Sequence, residues 1–268
     1  HKWDPKWYNP ILQQLQVATD GLLGHDIVIW PESAIPGYYQ GAQGFLQPMA
    51  QRAAAANTTL ITGVPYRAAG STVYHNSIVA MGAGAGVYHK QRLVPFGEYV
   101  PLEAQLRGLI QFFDLPMSSF SPGPAGQKPL AAGAYRVAPF ICYEIVYGDL
   151  VGRNARDAEL LITISNDSWF GDSIGPWQHL QIAQMRGREN GRYVLRATNN
   201  GISAIIDHQG RILQRTEQFV ATTLTGEAVP MLGVTPFGSF GNTPIIAGCF
   251  LGLLLMGLMY LGFWRDTK

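Results

Sequence analysis

One uncharged segment near the carboxyl end constrains the fold most: PIIAGCFLGLLLMGLMYLGFW, residues 244–264. A helix rises about 1.5 Å per residue, so roughly 20 residues cross the hydrocarbon core of a bilayer. A soluble helix of this length would normally show a polar face, and this segment has none. We predict a transmembrane helix over residues 244–264. The thiol of Cys249 inside it is interpreted as structural.

The residues around this segment indicate its orientation. Tyr260 and Trp264 lie near one end, as in interfacial aromatic belts, and the short basic tail RDTK follows. By the positive-inside tendency the tail, residues 265–268, is predicted to be cytoplasmic. The bulk of the chain then lies on the opposite side of the inner (cytoplasmic) membrane, which in a bacterium is the periplasm. Residues 229–243 are predicted to be a linker into the membrane.

Composition excludes some classes of function. The 268 residues include 19 basic and 18 acidic side chains, a net charge of +1, and charged residues make up only 14% of the chain. Nucleic-acid binding is not expected, because it needs a clustered basic excess. The two cysteines do not form a disulfide framework.

Residues 1–228 alternate between short apolar strands and helical stretches, which favours a layered α/β domain. Glycine-rich turns between some strands indicate hairpins, and therefore a mixed sheet. The predicted strands are 26–30, 58–66, 74–82, 86–94, 135–144 and 159–167, with two more within 193–213; the predicted helices are 44–57, 146–158 and 175–192.

Reactive side chains lie at or near the ends of three strands. Glu32 follows DIVIWP, Lys90 lies in VYHKQRLVPFGE, and Cys142 ends VAPFI. Ligand sites of α/β sheets gather beyond the carboxyl ends of strands, so Glu32 and Cys142 could converge. A carboxylate can take the proton of a thiol, and an ammonium favours the thiolate and an oxyanion. These groups suffice for acyl transfer through a thioester.

Each of these signals is weak alone. Glu32 could cap a helix, Lys90 could lie on a solvated face, and a buried cysteine is usually inert. His89 would face away from a site that Lys90 faces, because neighbouring strand residues point to opposite sides. Asp167 and Asp172 could suggest a metal site, but no cluster with ligand spacing accompanies them, so we predict turn caps and no metal.

Taken in order, the motifs WPESAIP, HKQRLVPFGEYVP, ICYE and NDSWFG resemble the carbon–nitrogen hydrolase (nitrilase) superfamily. Within it, PWQHLQIAQMRGRENGR and RATNNGISAIID resemble the apolipoprotein N-acyltransferase family. The resemblance covers nearly the whole chain. It implies a four-layer αββα nitrilase-like sandwich, here with a carboxyl-terminal transmembrane helix. It also implies about eight preceding membrane helices, so we expect a fragment whose first strand is truncated.

The resemblance also implies roles for individual residues. Glu32 is implied as general base, Lys90 as support for the thiolate and oxyanion, and Cys142 as nucleophile. The other implied site residues are the essential Glu98, Tyr143 with its backbone amide as oxyanion donor, the adjacent Glu144, and Trp3.

The implied reaction needs no cofactor. A phospholipid donates an acyl chain to Cys142, and the thioester passes it to the amino-terminal cysteine of a diacylated apolipoprotein. Two alternatives stay open on the residues alone. A membrane-tethered amidase would let water resolve the thioester, and a silent binding module would leave Cys142 unreactive.

Overall fold

The computed structural model describes residues 3–67, 70–99 and 120–266. Its helices are α1 Tyr8–Asp20, α2 Gln43–Ala55, α3 Gly148–Ala155, α4 Gly175–Asn190, α5 Pro236–Phe240 and α6 Thr243–Asp266. Its strands are β1 Ile27–Ile29, β2 Thr59–Arg67, β3 Tyr74–Gly82, β4 Gly84–His89, β5 Leu130–Ala132, β6 Tyr135–Ile141, β7 Leu160–Ser165, β8 Tyr193–Thr198, β9 Ala204–Ile206 and β10 Ile212–Arg215. Short 3-10 helices cover Pro5–Trp7, Cys142–Val146 and Asp167–Phe170.

The strands form a sheet in which each strand pairs with its neighbour in the chain, from β1 to β10. Strand pairs β1–β2, β6–β7 and β7–β8 are parallel, and the remaining pairs are antiparallel. The parallel pairs are those separated by α2, α3 and α4, because a parallel connection needs a crossover. The predicted α/β class with a mixed sheet is therefore confirmed.

Three apolar clusters show how this sheet curls. One packs α1 and α2 on β1–β3, and another packs α3 and α4 on β6–β9. A third joins the two halves of the sheet face to face, with Ile61 and Ile78 from one half and Val137 and Ile162 from the other. Strand β7 is buried at every residue, as expected for a parallel strand covered on both faces. The four-layer αββα arrangement stays a prediction.

The predicted linker, residues 229–243, is bound to the domain rather than extended away from it. It contains α5, and Arg156 donates two hydrogen bonds, of 3.0 and 2.8 Å, to the Gly238 carbonyl. Arg192 donates a bond of 2.5 Å to the Gly233 carbonyl. These contacts fix the point from which α6 begins.

Helix α6 includes the predicted membrane segment. Residues Thr243–Tyr260 have a mean hydropathy of 1.9 and none of that window is buried, so length and composition suit a membrane span. The predicted tail, residues 265–268, lies partly outside the described residues. The bounds of domain, linker and span stay predictions.

Gly63 in β2 lies directly behind Glu32. A Cβ added there would lie 2.5 Å from Cδ1 of Ile164 and 2.7 Å from both the Glu32 Cα and the Pro31 carbonyl oxygen. The backbone atoms cannot move aside without displacing the turn that carries Glu32. Glycine is therefore what allows β2 to approach this turn.

We expect Gly63→Ala to lower the free energy of unfolding by about 1–3 kcal/mol, the usual cost of overpacking a core. Gly44→Ala is the matched control, because a Cβ at Gly44 in α2 meets nothing within 4 Å. Alanine favours a helix more than glycine, so the control should keep the parent stability or gain up to about 1 kcal/mol. Chemical denaturation of both variants measures the difference, and equal stabilities would contradict this description of the turn.

Candidate active site

Three loops that follow strands bring the predicted triad together. Glu32 lies beyond β1, Lys90 directly follows β4, and Cys142 directly follows β6. Glu32 and Lys90 are 7% and 1% exposed, and Cys142 is partly exposed. The Asn166 backbone N–H donates a hydrogen bond of 2.7 Å to Glu32 Oε2, which ties the β1 loop to the end of β7.

A single amide connects the buried Glu32 carboxylate to the partly buried Glu98 carboxylate. Asn76 Nδ2 donates to Glu32 Oε1 at 2.7 Å and to Glu98 Oε1 at 2.9 Å. The other oxygen of Glu98 lies 2.7 Å from Lys90 Nζ and accepts a bond of 2.9 Å from the Val94 backbone N–H. Glu98, implied by the resemblance, therefore lies within the same polar network as the triad.

Burial and charge set the protonation of this network. Burial raises the pKa of Glu32, the Lys90 charge opposes this, and the Glu98 charge adds to it. Burial lowers the pKa of Lys90, but the charges of Glu32 and Glu98 raise it above its ordinary value. Burial, assisted by the Glu32 charge and opposed by Lys90, raises the pKa of Cys142 to about 12. At neutral pH the Cys142 thiol is therefore protonated.

The backbone at Cys142 has a left-handed conformation, with φ +52°. Such a conformation costs a non-glycine residue about 1–2 kcal/mol and needs support from its surroundings. Glu144 gives part of this support, because its carboxylate accepts a bond of 2.9 Å from the Ile141 backbone N–H. It also accepts from the Tyr88 hydroxyl at 3.0 Å and the Gln91 backbone N–H at 2.7 Å. Glu144 thus joins the turn at Cys142 to the loop after Lys90.

Tyr143 and Trp3 are both well exposed, at 42% and 46%. Tyr143 lies in the first turn of the 3-10 helix Cys142–Val146, where backbone N–H groups have no partner within the helix. The role of its amide as an oxyanion donor stays a prediction. Trp3 precedes the first helices, and its role stays a prediction.

The structure corrects the interpretation of Asp167 as a turn cap. Asp167 is 1% exposed, lies 2.7 Å from Arg196 Nη2, and lies 3.0 Å from His179 Nδ1. Asn166 instead caps the turn, with its side chain accepting from the Ser168 backbone N–H. Asp167 follows the buried strand β7 just as Cys142 follows β6, so its position was a signal that could have marked it. Asn76 lies within β3 and had no such signal.

Within residues 3–67, 70–99 and 120–266, no group of three or more His, Cys, Asp or Glu side chains is arranged to hold a metal ion. In the part described, the Asp167 carboxylate is instead paired with Arg196.

Comparison with known proteins decides the family. Residues 7–232 match the family described as carbon-nitrogen hydrolase. The chain belongs to the carbon–nitrogen hydrolase family.

Solved structures share the fold of this carbon–nitrogen hydrolase domain. A carbon–nitrogen hydrolase from Helicobacter pylori G27 has a TM-score of 0.59 at 18% identity, with 79% of this chain and 80% of that chain covered. A Nesterenkonia amidase mutant of the nitrilase superfamily has a TM-score of 0.55 at 19% identity, with 81% and 82% covered.

Relatives with much higher identity are named apolipoprotein N-acyltransferase. The protein from Pseudomonas aeruginosa is 49% identical over 264 residues, covering 96% of this chain and 51% of the relative. The protein from Haemophilus influenzae is 42% identical over 268 residues, with 96% and 51% covered. This carbon–nitrogen hydrolase chain thus spans about half the length of the curated relatives it matches.

Opposite changes at Glu32 and Lys90 should shift the pKa of Cys142 in opposite directions. Glu32→Gln removes a charge that raises this pKa, and Lys90→Met removes one that lowers it. In a Cys249→Ser background, the pH dependence of iodoacetamide alkylation should therefore move to lower pH for Glu32→Gln and to higher pH for Lys90→Met.

The control for this experiment is Glu159→Gln. Glu159 pairs with Arg136 at the opposite end of β6 from Cys142, so its loss should leave the alkylation profile unchanged. Shifts of the same sign in Glu32→Gln and Lys90→Met would contradict the electrostatic description of the site.

Proposed function

We propose that this domain catalyses N-acyl transfer in lipoprotein biosynthesis, through a thioester on Cys142. The observation that carries the proposal is the Cys142 thiol, electrostatically coupled to the buried Glu32 carboxylate and Lys90 ammonium. The names of the relatives support the acceptor, a lipoprotein. The phospholipid donor and the diacylated state of the acceptor come from the family resemblance.

The first half-reaction forms the acyl-enzyme. Glu32 takes the proton of the Cys142 thiol as sulfur attacks the ester carbonyl of a phospholipid. A sulfur–carbon bond forms, and the carbonyl oxygen becomes an oxyanion that Lys90 and the Tyr143 amide stabilise. The carbon–oxygen ester bond then breaks, Glu32 returns the proton to the leaving alkoxide, and a lysophospholipid departs.

The second half-reaction transfers the acyl chain. The neutral α-amino group of the acceptor attacks the thioester carbonyl, and a carbon–nitrogen bond forms. Glu32 takes a proton from the attacking nitrogen. The sulfur–carbon bond then breaks, and the proton passes to the Cys142 sulfur, which regenerates the thiol. The reaction is ping-pong and uses no cofactor.

The site keeps a constant total charge through these steps. Glu32, Glu98 and Lys90 together carry one net negative charge while the thiol is protonated. When Glu32 takes the thiol proton, that charge moves to sulfur and then to the oxyanion. The raised pKa of Glu32 makes it a stronger base than an exposed glutamate. Glu98 keeps Lys90 charged and in place, so we assign it a supporting role.

A membrane setting suits a lipid donor, which is scarce in water. We place α6 across the bacterial inner membrane, with residues 265–268 cytoplasmic and the catalytic domain, residues 1–228, in the periplasm. The apolar, unburied surface of Thr243–Tyr260 supports this placement. We include Trp3 among the site residues on the resemblance alone.

The fate of the acyl-enzyme separates a transferase from an amidase. A thioester reacts readily with a neutral amine, and a lipid-rich pocket holds little water. We expect the acyl-enzyme to persist without acceptor and to discharge when a diacylated peptide with a free amino-terminal cysteine is added. The same peptide acetylated at its amino terminus should not discharge it. Intact-mass spectrometry after incubation with phospholipid follows the added acyl group.

Two variants control this experiment. Cys142→Ala should form no acyl-enzyme, and Glu32→Gln should form it roughly 100-fold more slowly, the scale of a lost general base. Rapid discharge at one rate with free, blocked and absent acceptor would mean that water is the natural attacker. An unreactive Cys142 in the parent protein would instead favour a binding module.

A further inference from the structure

A buried polar cluster lies behind Cys142, with the Ser165 hydroxyl 3.7 Å from the Cys142 sulfur, and no step of the proposed reaction uses it. We call Ser165, Asp167, His179 and Arg196 the Asp167 cluster. All four residues are at most 5% exposed. Burying such groups is costly unless they bind one another, and these four do so.

His179 joins this cluster to the nucleophile. Its Nε2 lies 3.1 Å from the backbone carbonyl oxygen of Cys142, while Nδ1 lies 3.2 Å from Arg196 Nη2 and 3.0 Å from Asp167 Oδ1. The Cys142 carbonyl can only accept, so a hydrogen bond at Nε2 requires the proton there, and in the neutral ring Nδ1 then accepts from Arg196. In the imidazolium both nitrogens carry protons. Nε2 therefore donates to the Cys142 carbonyl in either state.

The cluster itself has little freedom to move. Asp167 Oδ2 lies 2.7 Å from Arg196 Nη2, and the Ser165 hydroxyl donates to Asp167 Oδ1. Arg196 Nε donates a further bond of 3.2 Å to the Ile202 carbonyl. Backbone packs closely against the carboxylate, since a Cβ at Gly201 would lie 2.2 Å from Asp167 Oδ2. The two partners of His179 Nδ1, Asp167 and Arg196, are therefore themselves fixed in place.

The position of the Cys142 carbonyl determines the direction of the next amide. The peptide unit joining Cys142 and Tyr143 is planar, and in the trans form its C=O and N–H point to opposite sides. No cis peptide bond occurs in the described residues. When His179 fixes the carbonyl, it therefore also fixes the direction of the Tyr143 N–H. The left-handed φ of +52° at Cys142 makes this support necessary, because an unsupported turn would relax.

We propose that His179, held by Asp167 and Arg196, is a positioning residue that orients the Tyr143 amide toward the oxyanion. This inference rests on the proposed thioester chemistry. It concerns one donor of the oxyanion site and is independent of which ester supplies the acyl group. Losing one oxyanion donor typically slows catalysis by about 100- to 1,000-fold, and a misdirected donor should cost a substantial part of that factor.

Matched variants test this role. His179→Met and His179→Gln have side chains of similar length, but only glutamine can donate to the Cys142 carbonyl. Gln184→Met is the control, because Gln184 on the same helix donates a bond of 2.8 Å to the carbonyl of Gly210, in the turn before β10. Each methionine variant therefore removes one bond from α4 to a backbone carbonyl.

Two reactions of the same thiol provide the measurement, both in the Cys249→Ser background. Acylation by p-nitrophenyl butyrate at saturating ester needs the oxyanion site, whereas alkylation by iodoacetamide forms no oxyanion. We expect His179→Met to slow acylation at least about 10-fold, with alkylation and the KM for the ester changed by less than about 3-fold. His179→Gln should recover most of the acylation rate, and Gln184→Met should keep the parent rate.

Acylation at the parent rate by folded His179→Met would overturn the proposal. Equal losses of acylation and alkylation would also overturn it, because they would show a general loosening of the thiol. If His179→Met does not fold, His179→Leu and His179→Asn form the same pair with shorter side chains.

A further measurement uses the parent protein: the ring ¹⁵N resonances of His179 should show a protonated Nε2 throughout the pH range of the folded state. A bare Nε2 would refute the hydrogen bond directly.

The ester probe also separates this proposal from the proposed function. A parent protein that reacts with p-nitrophenyl butyrate, but forms no acyl-enzyme with phospholipid, would refute the donor and leave the positioning role intact. The variants would then still be compared on the ester alone.

Discussion

Lys90 carries a positive charge into the interior of the domain, with 1% of its side chain exposed, and its neighbours replace the lost hydration. The Glu98 carboxylate lies 2.7 Å from its ammonium, and the charge of Glu32 acts on it as well. Two carboxylates close together would repel each other, and the Asn76 amide donates to both of them. The register of the hairpin β3–β4 holds Asn76 next to Lys90, because the Lys90 backbone N–H donates to the Asn76 carbonyl at 2.8 Å. The loops that form the site therefore depend on this one buried ammonium.

The sequence predicts those helices and strands that bury one face, or both faces, with apolar residues. The alternation of strands and helices predicts the α/β class, and a mostly apolar, fully buried strand such as β7 is recognisable from its own sequence. Helix α1 was missed because most of its surface is exposed, and only Leu12 and Thr19 are buried. Strand β5 has three residues, too few for a period to be visible. These elements depend on tertiary packing more than on local pattern.

Within the site, position along the chain decided what could be predicted. Glu32 and Cys142 follow strands, where a reactive side chain stands out, whereas Asn76 lies within a strand and resembles any polar strand residue. Asp167 was misread because aspartate is also common in turns after strands, and only the buried Arg196 reveals its different role. Glu98 lies in an irregular loop, so its assignment came from the resemblance to a family and not from a pattern.

The docking of residues 229–243 on the domain has a consequence for how substrates are found. A flexible chain of about 15 residues would let its ends wander roughly 20 Å apart, and the thiol could sample many heights above a lipid surface. Here Arg156 and Arg192 hold this segment on the domain by hydrogen bonds to Gly238 and Gly233, within the ten residues before α6 begins. With α6 in a bilayer, as proposed, Cys142 would therefore be held at a nearly constant height above the membrane surface. Under the proposed function, donor and acceptor lipids would then reach Cys142 by lateral diffusion in two dimensions, and only those whose reactive bond lies at that height would react.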